Sequence, residues 1–161
     1  MKIIFKINKA LRKNRLFKRT AIPEIAVTVL QKHLREIKRL AVTRFMRQAG
    51  RSGSKPVPGK LTYRRGELAR SITWQIFKGR NKVVGVVGTN KVYAAIHEYG
   101  GEIHAKYKPF LHFYIPHADK WVKVKRVVIP KRPYLQPARE MVLPKIEKAI
   151  AYQMAVYGSK E

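Results

Sequence analysis

The chain has 161 residues, 45% of them apolar, and carries 36 Lys and Arg against 9 Asp and Glu, a formal charge of +27. This is one domain's length with enough apolar content for a core, so a disordered tail is excluded, as are disulfides, thiol catalysis and cysteine-ligated zinc, because there is no cysteine. No run of 18 apolar residues offers a bilayer span, the lysine-interrupted start (Lys2, Lys6) is too short for a signal peptide, and the charge points to polyanions, nucleic acid first, or to an acidic protein surface.

Residues 1–22 mix scattered apolar side chains with eight basic and no acidic ones before position 21. They read as a basic arm that orders on a partner, the alternative being an ordinary solvated helix or strand of the domain; Arg12, Lys13, Arg15, Lys18 and Arg19 are its candidate contacts. Pro23 and Glu24 then open a helix expected over 23–48 and closed by Gly50, with Val27, Leu30, Leu34, Ile37, Leu40, Ala41 and Phe45 on one stripe. Lys32, Arg35, Lys38, Arg39 and Arg47 lie largely off that stripe, as a solvated face or one that tracks phosphate. Residues 50–60 are turn and breaker types and predict a mobile loop, in which Arg51, Lys55 and Lys60 are further candidate contacts to DNA or a partner.

A helical turn follows at 66–70. Residues 71–77 alternate, with Ile72, Trp74 and Ile76 on one face, and 82–89 return as the second strand of a hairpin. Tyr93, Ile96 and His97 fall on one face of a short helix that Gly100 and Gly101 stop. Residues 108–115 and 121–129 predict a second hairpin. Residues 135–157 predict the closing helix, with Leu135, Ala138, Val142, Ile146, Ile150 and Met154 inward and Pro144 kinking or restarting it. The expected class is α+β: one antiparallel sheet of about four strands, in two hairpins, with two long helices on one face. The single domain spans 23–157, and 158–161 form a tail.

The residues give little support for catalysis. His97-Glu98 lacks the second histidine of a zinc-protease helix, and His104, His112 and His117 match no compact metal set. Glu98, Glu102 and Asp119 are too scattered for a magnesium-dependent nuclease. No enzyme, metal or cofactor is expected. Lys106-Tyr107-Lys108 and the Trp121–Arg126 run interleave rings with cations, a weak nucleic-acid signal that any half-exposed strand also gives.

Three patches carry a family likeness: GELARSI at 66–72, GTNKVYAAIHEYGG at 88–101 and IPKRPYLQPA at 129–138. In this order and spacing the chain resembles the virion-morphogenesis proteins (tail-completion and neck proteins) of tailed bacteriophages, over roughly residues 23–155. It departs from the family in having Arg65 where Thr or Ser commonly precedes the glycine. The resemblance implies a fold and assembly signature in Gly66, Leu68, Ser71, Tyr93, His97, Glu98, Gly100, Gly101, Pro133 and Leu135. Within it, Glu98 is expected as a buried acceptor for backbone N–H groups or an arginine, and His97 as a packed ring with one satisfied nitrogen. It also implies a structural protein at the neck or head-proximal tail end, assembled in the host cytoplasm. Its partners would be its own copies in a homohexameric ring, the head-connector, tail-terminator or tail-tube proteins, and DNA through phosphate contacts, with no membrane. The alternative from another class is a free nucleic-acid-binding protein without sequence specificity.

Overall fold

Helix α1 (Ala21–Thr43) forms where the three-and-four spacing of apolar residues is densest. The structure, a computed structural model, describes residues 2–6, 21–48, 59–63, 65–79, 82–115 and 118–158. Ala26, Leu30, Leu34, Ile37 and Ala41 form the buried stripe of α1, with Val27 and Leu40 at its margins. The helix ends earlier than the pattern predicts. Thr43 Oγ1 donates back to the Arg39 carbonyl at 2.9 Å, and the chain turns. Met46–Gln48 becomes strand β2, parallel to β3 (Leu61–Tyr63), with Met46 opposite Leu61 and both buried. Val42, Thr43 and Phe45 are β-branched or aromatic and lean toward strand, and burial of the Met46–Leu61 pair decides the matter. A parallel pair needs a crossover of roughly a dozen residues, the length between Gln48 and Leu61. Of the expected mobile loop, residues 50–58, with Arg51 and Lys55, lie outside the described residues; Gly59 and Lys60 are exposed.

The main sheet has the order β1-β5-β4, from β1 (Lys2–Lys6), β4 (Thr73–Gly79) and β5 (Lys82–Gly88), antiparallel throughout. The β4–β5 hairpin is the one expected, with Trp74 opposite Val87 and Ile76 opposite Gly85. The expected arm over 1–22 is corrected at its start: the β-prone Ile3-Ile4-Phe5 run adds to the open edge of β5. Residues 7–20, with Arg12, Lys13, Arg15, Lys18 and Arg19, lie outside the described residues. Helix α1 crosses the face formed by Val83, Gly85 and Val87, where a Cβ on Gly85 would lie 2.9 Å from Leu34 Cδ1. Arg35 caps this layer, its guanidinium 5.5 Å from the Trp74 ring centre, and Glu24 pairs with Lys78 across it.

Helix α4 (Leu135–Gly158) lies along α1, burying Leu135, Ala138, Val142, Ile146 and Ile150, the inward face read from the sequence. Lys145 donates to Glu36 at 2.6 Å across the helix pair. That hydrogen bond, and the charge behind it, hold the Glu36 carboxyl below its ordinary value. The helix is continuous through Pro144, whose ring faces solvent. Of the expected kink or restart, the restart does not occur.

Between these elements lie α2 (Glu67–Ser71), α3 (Ala94–Tyr99), β6 (Gly101–His104), β7 (Leu111–Ile115), β8 (Lys120–Val124) and β9 (Arg126–Ile129). The α+β class is as expected, but the single four-stranded sheet is not found. The described strands form one three-stranded sheet and three separate pairs: β2–β3, β6–β9 and β7–β8. Pro109 cannot donate to a ladder, so the second hairpin begins only at Leu111. The run from 121 breaks at Lys125, and its second half turns to β6, a strand the sequence reading missed.

The close approach at Gly85 gives a direct test. Gly85→Ala is expected to cost about 1–3 kcal/mol through overpacking against Leu34, measured by chemical denaturation. A variant as stable as wild type would mean that α1 yields at this point.

Candidate assembly site

The short helix α3 is built around one side chain. Glu98 is fully buried, and its carboxylate accepts three backbone N–H bonds: Tyr134 and Leu135 to Oε2 at 2.9 and 3.1 Å, and Gln136 to Oε1 at 2.7 Å. These amides open helix α4. A helix leaves its first four N–H groups without internal partners, and here the fourth position is Pro137, which has none. One carboxylate therefore satisfies the whole N-terminus of α4, and the positive end of the helix dipole offsets its charge. The acceptor role anticipated for Glu98 is met by amides rather than by an arginine.

The neighbouring residues hold the chain on either side of this contact. The Arg132 N–H donates to the His97 carbonyl at 2.9 Å, and the Gly100 N–H to Ile96 at 2.9 Å. Gly100 has φ +75°, and a Cβ there would lie 3.0 Å from Lys131 N and 3.2 Å from the Ile129 carbonyl. This position requires glycine both for its dihedral and for its space. Gly101, at φ +155°, starts β6 opposite Ile129. Pro133 is half-buried beside Tyr134, and Leu135 is buried.

The ring of His97 meets the edge of Tyr93, with centroids 6.0 Å apart, and makes no hydrogen bond to a described residue, so the expected satisfied nitrogen is replaced by packing. Tyr93 itself is exposed, and the buried face of α3 is Ala94 and Glu98, not the Tyr93–Ile96–His97 face read from spacing. The first patch is placed by Gly66, at φ +70° before α2, by buried Leu68, and by Ser71. Ser71 Oγ lies 2.8 Å from the Leu68 carbonyl and 2.6 Å from Thr89 Oγ1, tying α2 to the end of β5.

Sequence reasoning passed over Tyr134. Its side chain is fully buried and its hydroxyl has no partner among the described residues. Burial first, then the nearby Glu98 charge, pushes its phenol far upward. The signal available was an aromatic residue between Pro133 and an apolar helix start.

From residue 99 to residue 133 no described residue is buried, although four strands form there. On β7–β8, Trp121 lies between His112, at 4.8 Å between ring centres, and Tyr114, at 5.6 Å, and is 66% exposed. Tyr107 is 97% exposed, and Ile103 and Val128 stand open on β6 and β9. Lys123 covers Phe110 at 4.8 Å, and Lys106, Lys108, Lys120 and Lys125 of the same segment are exposed. Among the described residues no three His, Asp or Glu side chains converge as metal ligands, and no helix is long and apolar enough to cross a membrane.

A family model described as the phage virion morphogenesis family matches residues 41–151. Neither the curated proteins nor the solved structures give a match.

Two outcomes test the Glu98 contact and its surroundings. Glu98→Gln places an NH₂ against backbone donors and is expected to cost about 2–4 kcal/mol. Tyr134→Phe removes an unpartnered hydroxyl and should stay within about 1 kcal/mol of wild type. Equal losses in denaturant titrations would contradict this division.

The second test is pH. Burial first, then the Arg132 charge, holds His97 below its ordinary value of 6.5. The unfolded chain takes up the proton first, so the contribution of His97 is complete above 6.5 and is lost as pH falls through the lower folded-state value. Wild-type stability should therefore drop more steeply below pH 6.5 than that of His97→Gln. Parallel profiles would remove His97 from the account.

Proposed function

The chain belongs to the phage virion morphogenesis family, and we propose that it is a structural subunit of the particle neck, acting by assembly rather than by turnover. In this reading its copies form a homohexameric ring around the DNA path. The ring closes the head-proximal end of the tail and joins it to the head connector, against tail-terminator or tail-tube proteins. The observation that carries the reading is the flank of residues 99–133, where no described residue is buried. Two-stranded pairs alone are marginal in water, and exposed apolar groups of this extent mark a surface that a partner covers. Six large apolar side chains of the flank (Tyr99, Ile103, Tyr107, Tyr114, Trp121 and Val128) are exposed. The basic residues Arg12, Lys13, Arg15, Lys18, Arg19, Arg51, Lys55 and Lys60 supply contacts to DNA or to an acidic ring.

A second reading, a free nucleic-acid-binding protein without a place in the particle, draws on the charge of +27. Light scattering in high salt separates the two: a particle of six 18.7 kDa chains is expected, and a monomer would favour the second reading. Trp121 reports the cover itself. In a Trp74→Phe background its emission should shift to the blue on assembly, because its exposed ring leaves water. An unchanged spectrum in an assembled ring would mean that this flank is not the interface.

A further inference from the structure

At the C-terminal end of α1 a cavity of about 590 Å³ opens between α1, β3 and α2. Lys38, Arg39, Arg65 and Arg70 line it, with the Tyr63 ring and Val42 between them, and no acidic side chain of a described residue does. The acids of the chain are committed elsewhere. Glu24, Glu36, Glu67 and Glu102 pair with Lys78, Lys145, Lys91 and Arg126. Glu98 lies under the α4 amides, Asp119 accepts from Tyr114, and Glu140 accepts from Gln136. Glu147 stands on α4 outside the cavity, and Glu161 lies beyond the described residues. Residues 49–58, which join β2 to β3, contain Arg51 and Lys55 and no acid. The counter-charge for this cavity is therefore external to the described chain.

We propose that the cavity is a phosphate-binding site that grips the backbone of duplex DNA. A single side-chain carboxylate brings one charge on a tethered peptide, whereas four cations around one cavity match an anion whose charges recur every few ångströms, as backbone phosphates do. Arginine forks pair with phosphate oxygens in a bidentate fashion, and the apolar surface of Tyr63 and Val42 faces the sugars. Contacts of this kind hold without reading sequence. The inference rests on the reading that DNA passes this protein, and it adds the contact point.

The test uses the full chain and a labelled duplex of arbitrary sequence, with affinity followed across a salt series. Arg39→Gln/Arg65→Gln removes two cavity charges whose side chains hold no ion pair among the described residues. Lys82→Gln/Lys148→Gln removes two exposed charges elsewhere. The cavity pair is expected to lower the log–log slope by about 2, roughly 0.9 per released phosphate, and the distant pair to leave it nearly unchanged. An unchanged slope for the cavity pair, or equal losses for both pairs, overturns the proposal. So does a cavity variant that loses binding to poly-glutamate while its affinity for DNA is unchanged, which would assign the site to an acidic protein. Circular dichroism confirms folding, and Arg65→Gln alone, with an expected loss of about 0.9, serves if the double variant misfolds. Light scattering on the same samples reads the ring separately. A lost slope with no ring in either protein rejects the ring and keeps the site, and an intact ring with an unchanged slope rejects the site alone.

Discussion

A buried carboxylate with no cation beside it normally costs several kcal/mol, and proteins tolerate one only where hydrogen bonds take up its charge. Glu98 meets that condition with the opening amides of α4. The arrangement serves both partners: the helix would otherwise begin in the protein interior with unbonded donors, and the carboxylate would otherwise be unpaired. Each is tolerable only because of the other. The position of α4 on α1, and through α1 the alignment of the core with the main sheet, follows from where α3 presents this one group. Gly100 is part of the same constraint, since the chain must leave α3 close against the backbone of residues 129–131.

The two long helices were legible because their apolar residues keep one period over many turns, and no distant partner is needed to see it. The β4–β5 hairpin was legible for a similar reason: alternation in Trp74 and Ile76 and a valine-rich return. What failed was everything decided by long-range pairing. Met46 reads as a continuation of α1 until Leu61 is known to lie beside it. The run from 121 to 129 reads as one strand until β6 is known to take its second half. For Glu98 it was the family resemblance of the segment around it that led to the expectation of a buried acceptor. Its donors lie 36 to 38 residues away, and only the fold names them. The cavity cations were hidden in the same way, because Lys38 and Arg39 meet Arg65 and Arg70 only after the chain has crossed between β2 and β3.

The scarcity of acids also shapes the charge pattern. Four of the few carboxylates are used as staples between elements: Glu24 joins α1 to β4, Glu36 joins α1 to α4, Glu67 joins α2 to the start of α3, and Glu102 joins β6 to β9. At exposed positions such pairs are individually weak, and salt weakens them further. Their larger effect is on the field. Placing acids at joints leaves the open surfaces with almost uncompensated positive charge, so a polyanion is attracted from beyond contact distance before any particular group is met.

Residues 99–133 leave the core at Glu98 and return to it at Tyr134, so the excursion begins and ends at a single fastened point. Nothing buried depends on its interior. Between Gly101 and Ile129, its two ends being held by Gly100 and Arg132, the length and composition of the excursion can therefore change while the core keeps its shape.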